Sequence, residues 1–125
     1  MSNPAKILLV EDDTMVIKMY TTKLTKEGFI LTSAGNGEEG LAALEKELPD
    51  IVLLDIMMPK MNGLEMLRIV RSDEKFKDIP VVMLTNLGDR DEDVERCKEL
   101  GAQDYWIKAN LSLNELSEKI KNILK

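Results

Sequence analysis

Five short apolar runs alternate along the chain with segments of helical spacing, and this alternation restricts the fold more than any other feature. The runs cover residues 7–10, 29–34, 51–54, 81–84 and 105–107. They are rich in Ile, Val and Leu, and most lack polar alternation, which is typical of strands covered on both faces. Because parallel strands need crossover connections, the pattern predicts an α/β fold with a doubly wound parallel sheet between two helical layers.

The length of 125 residues suits one domain. No Pro/Ser-rich linker or low-complexity tract interrupts the alternation, so residues 1–125 are interpreted as a single domain. No apolar run approaches the length of a membrane span and no signal-peptide pattern is present, so we expect a cytoplasmic protein without membrane insertion. Cys97 is the only cysteine, which excludes an internal disulfide.

The charge balance and the absence of His exclude several functions. The chain carries 17 Lys and Arg against 23 Asp and Glu, a net charge of −6, which argues against a direct nucleic-acid partner. Without His there is no Ser-His-Asp or Cys-His catalysis, and most catalytic zinc sites are excluded. Chemistry must therefore use carboxylates, hydroxyls, lysines or the single thiol.

Polar side chains follow four of the five predicted strands, where an open parallel sheet has its functional crevice. These strand-end residues are Glu11, Asp12, Asp13, Asp55, Thr85 and Lys108. Asp13 is interpreted as a helix N-cap. Clustered carboxylates repel one another unless a cation is bound, and oxygen ligands favour Mg²⁺. With a hydroxyl and an ammonium nearby, the set predicts a pocket for a phosphoryl group and a carboxylate that can accept it.

Five stretches carry these residues within longer motifs: ILLVEDD at 7–13, DIVLLDIMMP at 50–59, MNG at 61–63, PVVMLT at 80–85 and GAQDYWIK at 101–108. In this order they resemble the receiver domains of two-component response regulators, and single-domain chemotaxis regulators in particular. The resemblance implies a flavodoxin-like (βα)5 fold with a five-stranded parallel sheet of order 2-1-3-4-5. It also implies a phosphorylation-activated signalling switch that catalyses only its own Mg²⁺-dependent phosphorylation and dephosphorylation, not an enzyme.

The resemblance further implies a role for each acidic strand-end residue. Asp55 would be the phospho-acceptor. Asp12 and Asp55 would bind Mg²⁺ through their side chains, and Met57 would bind it through its backbone carbonyl. Glu11 would act on the metal mainly through water. Magnesium is thus the expected cofactor.

The remaining implied roles concern the switch and its partners. Thr85 would bond a phosphoryl oxygen, Lys108 would pair with Asp55 or its phosphate, and Tyr105 would follow the movement of Thr85. The donor would be a histidine kinase or His-phosphotransfer protein, because this chain has neither His nor a nucleotide loop. The charged segment at 89–99 is either a solvated helix or a weakly anchored helix that shifts on phosphorylation. Together with the last strand and last helix, it is expected to bind an unknown output protein or a second copy.

Two departures from the family pattern bear on the chemistry. Ala109 replaces the usual Pro after Lys108, so we expect a trans peptide bond there. Met57 and Leu87, two positions beyond Asp55 and Thr85, cannot hydrogen-bond a hydrolytic water, which predicts slow self-dephosphorylation.

Two alternative functions use the same residues. The glycines of residues 35–40 match a GxGxxG dinucleotide fingerprint, although a turn followed by a helix start explains them as well. An Asp-nucleophile phosphatase would use Asp55, but such enzymes usually need a second Asp where this chain has Met57.

Overall fold

The five predicted strands form one parallel sheet in a computed structural model that describes residues 4–86 and 90–125. The strands are β1 (Lys6–Val10), β2 (Ile30–Ala34), β3 (Ile51–Asp55), β4 (Val81–Thr85) and β5 (Asp104–Ile107). Their order is β2-β1-β3-β4-β5, and each neighbouring pair is parallel. This confirms the doubly wound α/β fold and the strand order that the resemblance implied.

Helices connect the strands and close the chain. They are α1 (Thr14–Lys26), α2 (Gly37–Lys46), α3 (Gly63–Ser72), α4 (Asp91–Glu99) and α5 (Leu113–Leu124), with a 3-10 turn at Lys108–Asn110. Side chains cap four helix N-termini, and Asp13 is confirmed as the cap of α1 because its Oδ1 accepts a hydrogen bond from the Met15 backbone N–H at 2.9 Å. The Lys108–Ala109 peptide bond is trans, as expected. Within the described ranges, no helix is long and apolar enough to cross a membrane.

The core lies on both faces of the sheet. Every residue of β3 and β4 is buried, which explains why their sequences are continuous apolar runs ending in one polar residue. Side chains from α2, α3 and α4 cover one face, while α1 and α5 cover the other. Cys97 is confirmed as a packed residue of the first face, and Trp106 as a packed residue of the second. The carboxyl ends of β3 and β4 are therefore fixed by packing on both sheet faces.

Candidate functional site

The carboxyl ends of β1, β3 and β5 bring three charged side chains together. Lys108 Nζ lies 2.8 Å from Glu11 Oε1 and 3.5 Å from Asp55 Oδ1. The exposed fractions of Glu11 and Asp55 are 0% and 1%. Each residue lies at or just past the end of its strand, so the parallel topology itself brings them to one edge. The result is a buried cluster of two carboxylates and one ammonium.

A third carboxylate extends this cluster toward solvent. One oxygen each from Glu11, Asp12 and Asp55 lies within 4.8 Å of the others, and Asp12 is exposed. Asp55 Oδ1 is buried, and no donor within residues 4–86 and 90–125 completes a hydrogen bond to it. A buried oxygen that accepts no hydrogen bond is costly, and an all-oxygen set suits a hard cation. These residues therefore fit Mg²⁺.

Two donors orient the Glu11 carboxylate. Its Oε1 accepts from the Lys108 ammonium at 2.8 Å, and its Oε2 accepts from the Asp13 backbone N–H at 3.1 Å. The second bond forms because the chain turns sharply between β1 and α1. Sequence reasoning missed this function of Asp13, since any residue at that position supplies the same N–H. Glu11 is thus held toward Lys108 while Asp12 faces solvent.

The electrostatics of the cluster follow from its burial. Burial and the charge of Glu11 raise the pKa of Asp55 to about 7, although Lys108 opposes the shift. Burial alone would lower the pKa of Lys108, but its hydrogen bond to Glu11 and the charge of Asp55 outweigh burial and raise it. Lys108 therefore stays charged at neutral pH. With Asp12 included, three carboxylates face one ammonium, and the excess negative charge favours a cation.

Thr85 and Tyr105 lie on the sheet face that α4 covers. Thr85 pairs with Ile107, and Met83 pairs with Tyr105. Because side chains alternate along a strand, Met83, Thr85 and Tyr105 all point to the same face. Thr85 is buried, and its hydroxyl donates to the Trp106 carbonyl at 3.5 Å. A displacement of the Thr85 hydroxyl would therefore act directly on the β5 backbone next to Tyr105.

Comparison with known proteins identifies the family. The model of the response regulator receiver domain matches residues 7–121. The chain belongs to the response regulator receiver family. It is 42% identical over 123 residues to the transcriptional regulatory protein CpxR homolog of Haemophilus influenzae. The aligned region covers 97% of this chain and 51% of that protein.

Solved structures support the same assignment. The chemotaxis protein CheY4 of Vibrio cholerae matches with a TM-score of 0.88 and 28% identity, covering 97% of this chain and 99% of that one. A CheY-like receiver domain protein of Methanospirillum hungatei JF-1 matches with a TM-score of 0.88 and 30% identity, covering 97% and 94%. The receiver spans about half the length of the curated relatives it matches. It is a signalling domain of two-component response regulators rather than a conventional enzyme.

The β3–α3 loop of the receiver closes tightly over Asp55. The Gly63 N–H donates to the Ile56 carbonyl at 2.8 Å, and a Cβ on Gly63 would collide with the Asp55 carbonyl oxygen. Gly63 is therefore needed for the loop to pass behind the candidate acceptor, a requirement that sequence reasoning missed. The MNG motif is the one signal that could have suggested it. Met57 in this loop is 53% exposed, whereas Met58 packs into the core.

Leu87, which together with Met57 was the basis for predicting slow hydrolysis, lies outside the described residues, as does Asp89 at the start of the charged segment. The prediction of slow hydrolysis therefore draws its structural support from Met57 alone. The side chain of Met57 is exposed beside Asp55, where it offers no strong hydrogen-bonding group to water.

The glycines of residues 35–40 allow neighbouring segments of this receiver to pack closely against α2. Asn36 caps α2, and the Gly37 N–H donates to the Met61 carbonyl at 3.1 Å. A Cβ on Gly37 would meet Met61, and one on Gly40 would meet Met66 within 2.9 Å. The space that a pyrophosphate would need is thus filled by the chain itself. Neither the dinucleotide alternative nor the phosphatase alternative is supported.

Proposed function

We propose that Asp55 accepts a phosphoryl group from a phosphohistidine on a histidine kinase or His-phosphotransfer protein. The observation that carries this proposal is the buried Oδ1 of Asp55, which lies 3.5 Å from Lys108 Nζ at the carboxyl edge of the sheet. These 125 residues contain no His, so the phosphohistidine must lie outside them. The carboxylates of Asp12 and Asp55 and the carbonyl of Met57 would hold Mg²⁺, with Glu11 acting through water.

The transfer forms one bond and breaks another. A carboxylate oxygen of Asp55 bonds to phosphorus while the P–N bond of the donor breaks. The electron pair of that bond stays on the imidazole nitrogen, which takes a proton from solvent. When bound by these residues, Mg²⁺ would supply positive charge that offsets the negative charge of the phosphoryl oxygens. Lys108 holds its ammonium next to the acceptor oxygen, and Thr85 would donate its hydroxyl to a phosphoryl oxygen.

Phosphorylation would change the output face. If the Thr85 hydroxyl turns toward the phosphoryl group, it leaves the Trp106 carbonyl, and Tyr105 next to it adjusts. The surface formed by α4, β5 and α5 would then bind an output protein or a second copy of the chain. Residues 1–125 would act as one cytoplasmic receiver domain with no nucleic acid bound directly.

The test is phosphorylation by acetyl phosphate with Mg²⁺, followed by intact-mass spectrometry. We expect the wild type to gain the mass of one phosphoryl group and Asp55→Asn to gain none. Asp50→Asn is the matched control, since Asp50 lies just before the amino end of β3 and should leave phosphorylation intact. An adduct that persists in Asp55→Asn would contradict the assignment of the acceptor.

The acyl phosphate should also be long-lived. Met57 offers no hydrogen bond that would position an attacking water, so the phosphorylated protein should decay slowly in Mg²⁺ buffer. Met57→Asn should speed the decay, because an amide can hold that water. A wild-type lifetime of seconds would contradict this prediction.

A further inference from the structure

The ammonium of Lys98 lies over the ring of Tyr105, 5.0 Å from the ring centroid. Lys98 is in the last turn of α4, and Tyr105 is on β5, the edge strand of the sheet. A cation placed over an aromatic face is attracted by the ring quadrupole. The contact thus joins α4 to the side chain that the proposed function assigns to the switch.

This contact matters because α4 buries few side chains. Cys97 is its one buried residue within the described part of the chain. The N-cap residue, Arg90, makes no side-chain cap hydrogen bond. The cation–ring contact therefore adds to the packing of Val94, Cys97 and Leu100 that holds α4 against the sheet.

The position of Tyr105 relative to Thr85 makes the contact specific to one state. Tyr105 shares its sheet face with Thr85 and pairs with Met83, two residues before Thr85 on the neighbouring strand. The Lys98 contact is observed while Asp55 is unmodified and the Thr85 hydroxyl bonds the Trp106 carbonyl. A turn of the Tyr105 ring toward Thr85 would move the ring away from the ammonium.

Lys98 has one competing partner. Its ammonium also lies 3.3 Å from the Glu95 carboxylate, one helical turn earlier. Both side chains of that pair are more than half exposed, at 51% and 64%, so water screens the pair strongly. The Glu95 pair does not depend on the orientation of Tyr105, whereas the ring contact does.

We propose that Lys98 is a positioning residue that holds Tyr105 in its resting orientation and thereby sets how readily the receiver switches. The proposal rests on the proposed function, because it takes Tyr105 as the group that moves after Asp55 is modified. Lys98 acts through Tyr105 and does not touch the phosphoryl site. Its removal should therefore favour the activated state without altering the phosphoryl chemistry.

The test combines two readouts on three variants. Lys98→Met keeps the apolar stem and removes the ammonium, while Lys98→Arg keeps a cation over the ring. Lys119→Met is the matched control, because Lys119 lies 5.9 Å from the Trp106 ring on the opposite sheet face and its loss changes the net charge equally. The readouts are the affinity for beryllofluoride with Mg²⁺ and the NMR shifts of the Tyr105 ring.

Lys98→Met should bind beryllofluoride about two- to five-fold more tightly, the factor expected from loss of an exposed cation–π contact in the resting state. Even without beryllofluoride, its Tyr105 shifts should move toward those of the beryllofluoride-bound wild type. Lys98→Arg and Lys119→Met should resemble the wild type in both readouts. An equal gain in Lys119→Met would show a general charge effect and overturn the proposal.

Unchanged Tyr105 shifts in Lys98→Met would also overturn it. If the proposed function itself is wrong, the experiment gives a different result. In that case the wild type would bind no beryllofluoride and would not be phosphorylated at Asp55. The resting Tyr105 shifts of Lys98→Met and Lys98→Arg would still report whether the Lys98 contact orients the ring.

Discussion

The helices α4 and α5 cover β5 from opposite faces of the sheet, but they are held in place very differently. A capping box of Ser112 and Glu115 starts α5, which buries Leu116 and Ile120 completely. By contrast, α4 lacks a side-chain cap and buries Cys97 alone within its described residues. The difference teaches that β5 is anchored from the α5 side, so a structural change on the α4 side costs little stability.

The polar contacts of α4 and α5 also differ. Glu27, just after α1, accepts hydrogen bonds from Ser117 Oγ at 3.0 Å and from Lys121 Nζ at 2.9 Å, which tie α5 to α1. On the other side, Arg71 of α3 donates to the Gly101 carbonyl just past the end of α4. The firm attachment of α4 is thus at its carboxyl end, which leaves the amino end as the part able to move.

The largest expected effect comes from truncating one core-facing apolar side chain in each helix, Leu116 in α5 and Val94 in α4. Leu116→Ala should lower the free energy of unfolding by about 3 kcal/mol, because a fully buried Leu is lost and a cavity remains. Val94→Ala should lower it by about 1 kcal/mol or less, since Val94 is only partly buried. Urea denaturation of both variants measures the difference. If both variants lost the same free energy of unfolding, α4 would be held as firmly as α5, contrary to our interpretation.

The capping box gives the next largest effect. Ser112→Ala removes the hydroxyl that accepts from the Glu115 backbone N–H at 3.1 Å and should cost about 1 kcal/mol. Denaturant titration measures the loss, with Ser33→Ala on an exposed position of β2 as the control that should change little. A negligible loss for Ser112→Ala would mean that packing alone fixes the start of α5.

Supplying the missing cap should stabilise α4 modestly. Arg90→Ser places a side-chain oxygen near the backbone N–H groups of the first turn and should add about 0.5 kcal/mol. The substitution also removes the pairs with Glu92 and Asp93, but the Arg90 side chain is exposed and such pairs contribute little. Hydrogen exchange of the α4 amides should slow in this variant. Unchanged exchange would show that the lack of a cap does not limit the stability of α4.

The smallest effect is a pH dependence confined to the α1–α5 contact. The hydrogen bonds from Lys121 and Ser117 lower the pKa of Glu27 below its ordinary value of 4.5. The stability from this contact is therefore complete above pH 4.5 and is lost as the pH falls from there through the lowered native pKa. Glu27→Gln should make the acid decline of the melting temperature shallower. If the melting temperature of both proteins fell identically with pH, groups other than Glu27 would cause the acid sensitivity.

Much of the fold could be predicted because it depends on local patterns. The apolar runs of β3 and β4 and the N-cap at Asp13 are readable from neighbouring residues alone. The predicted start of the second strand, at residue 29, was one residue too early, since β2 begins at Ile30. Phe29 instead donates its N–H to the Leu24 carbonyl and completes the end of α1.

The site was predictable only in part. Strand ends bring Glu11, Asp55 and Lys108 together, and the parallel topology made this expected. The collision that only Gly63 avoids, and the contact of Lys98 with Tyr105, depend on how separate elements approach one another. In the sequence Lys98 is one charge of a highly charged helix, with nothing to distinguish it from its neighbours. The functional roles of these residues remain predictions that the experiments above address.

Trp106 gives the protein an optical signal of its own. It is the only tryptophan in the chain, its indole is buried, and its Nε1 donates to Asp104 Oδ2 at 3.0 Å. The carbonyl of the same residue accepts the Thr85 hydroxyl. All indole emission therefore comes from one place, a single hydrogen bond away from Thr85. We expect phosphorylation to change the intrinsic fluorescence, so that the switch can be followed in real time without a label.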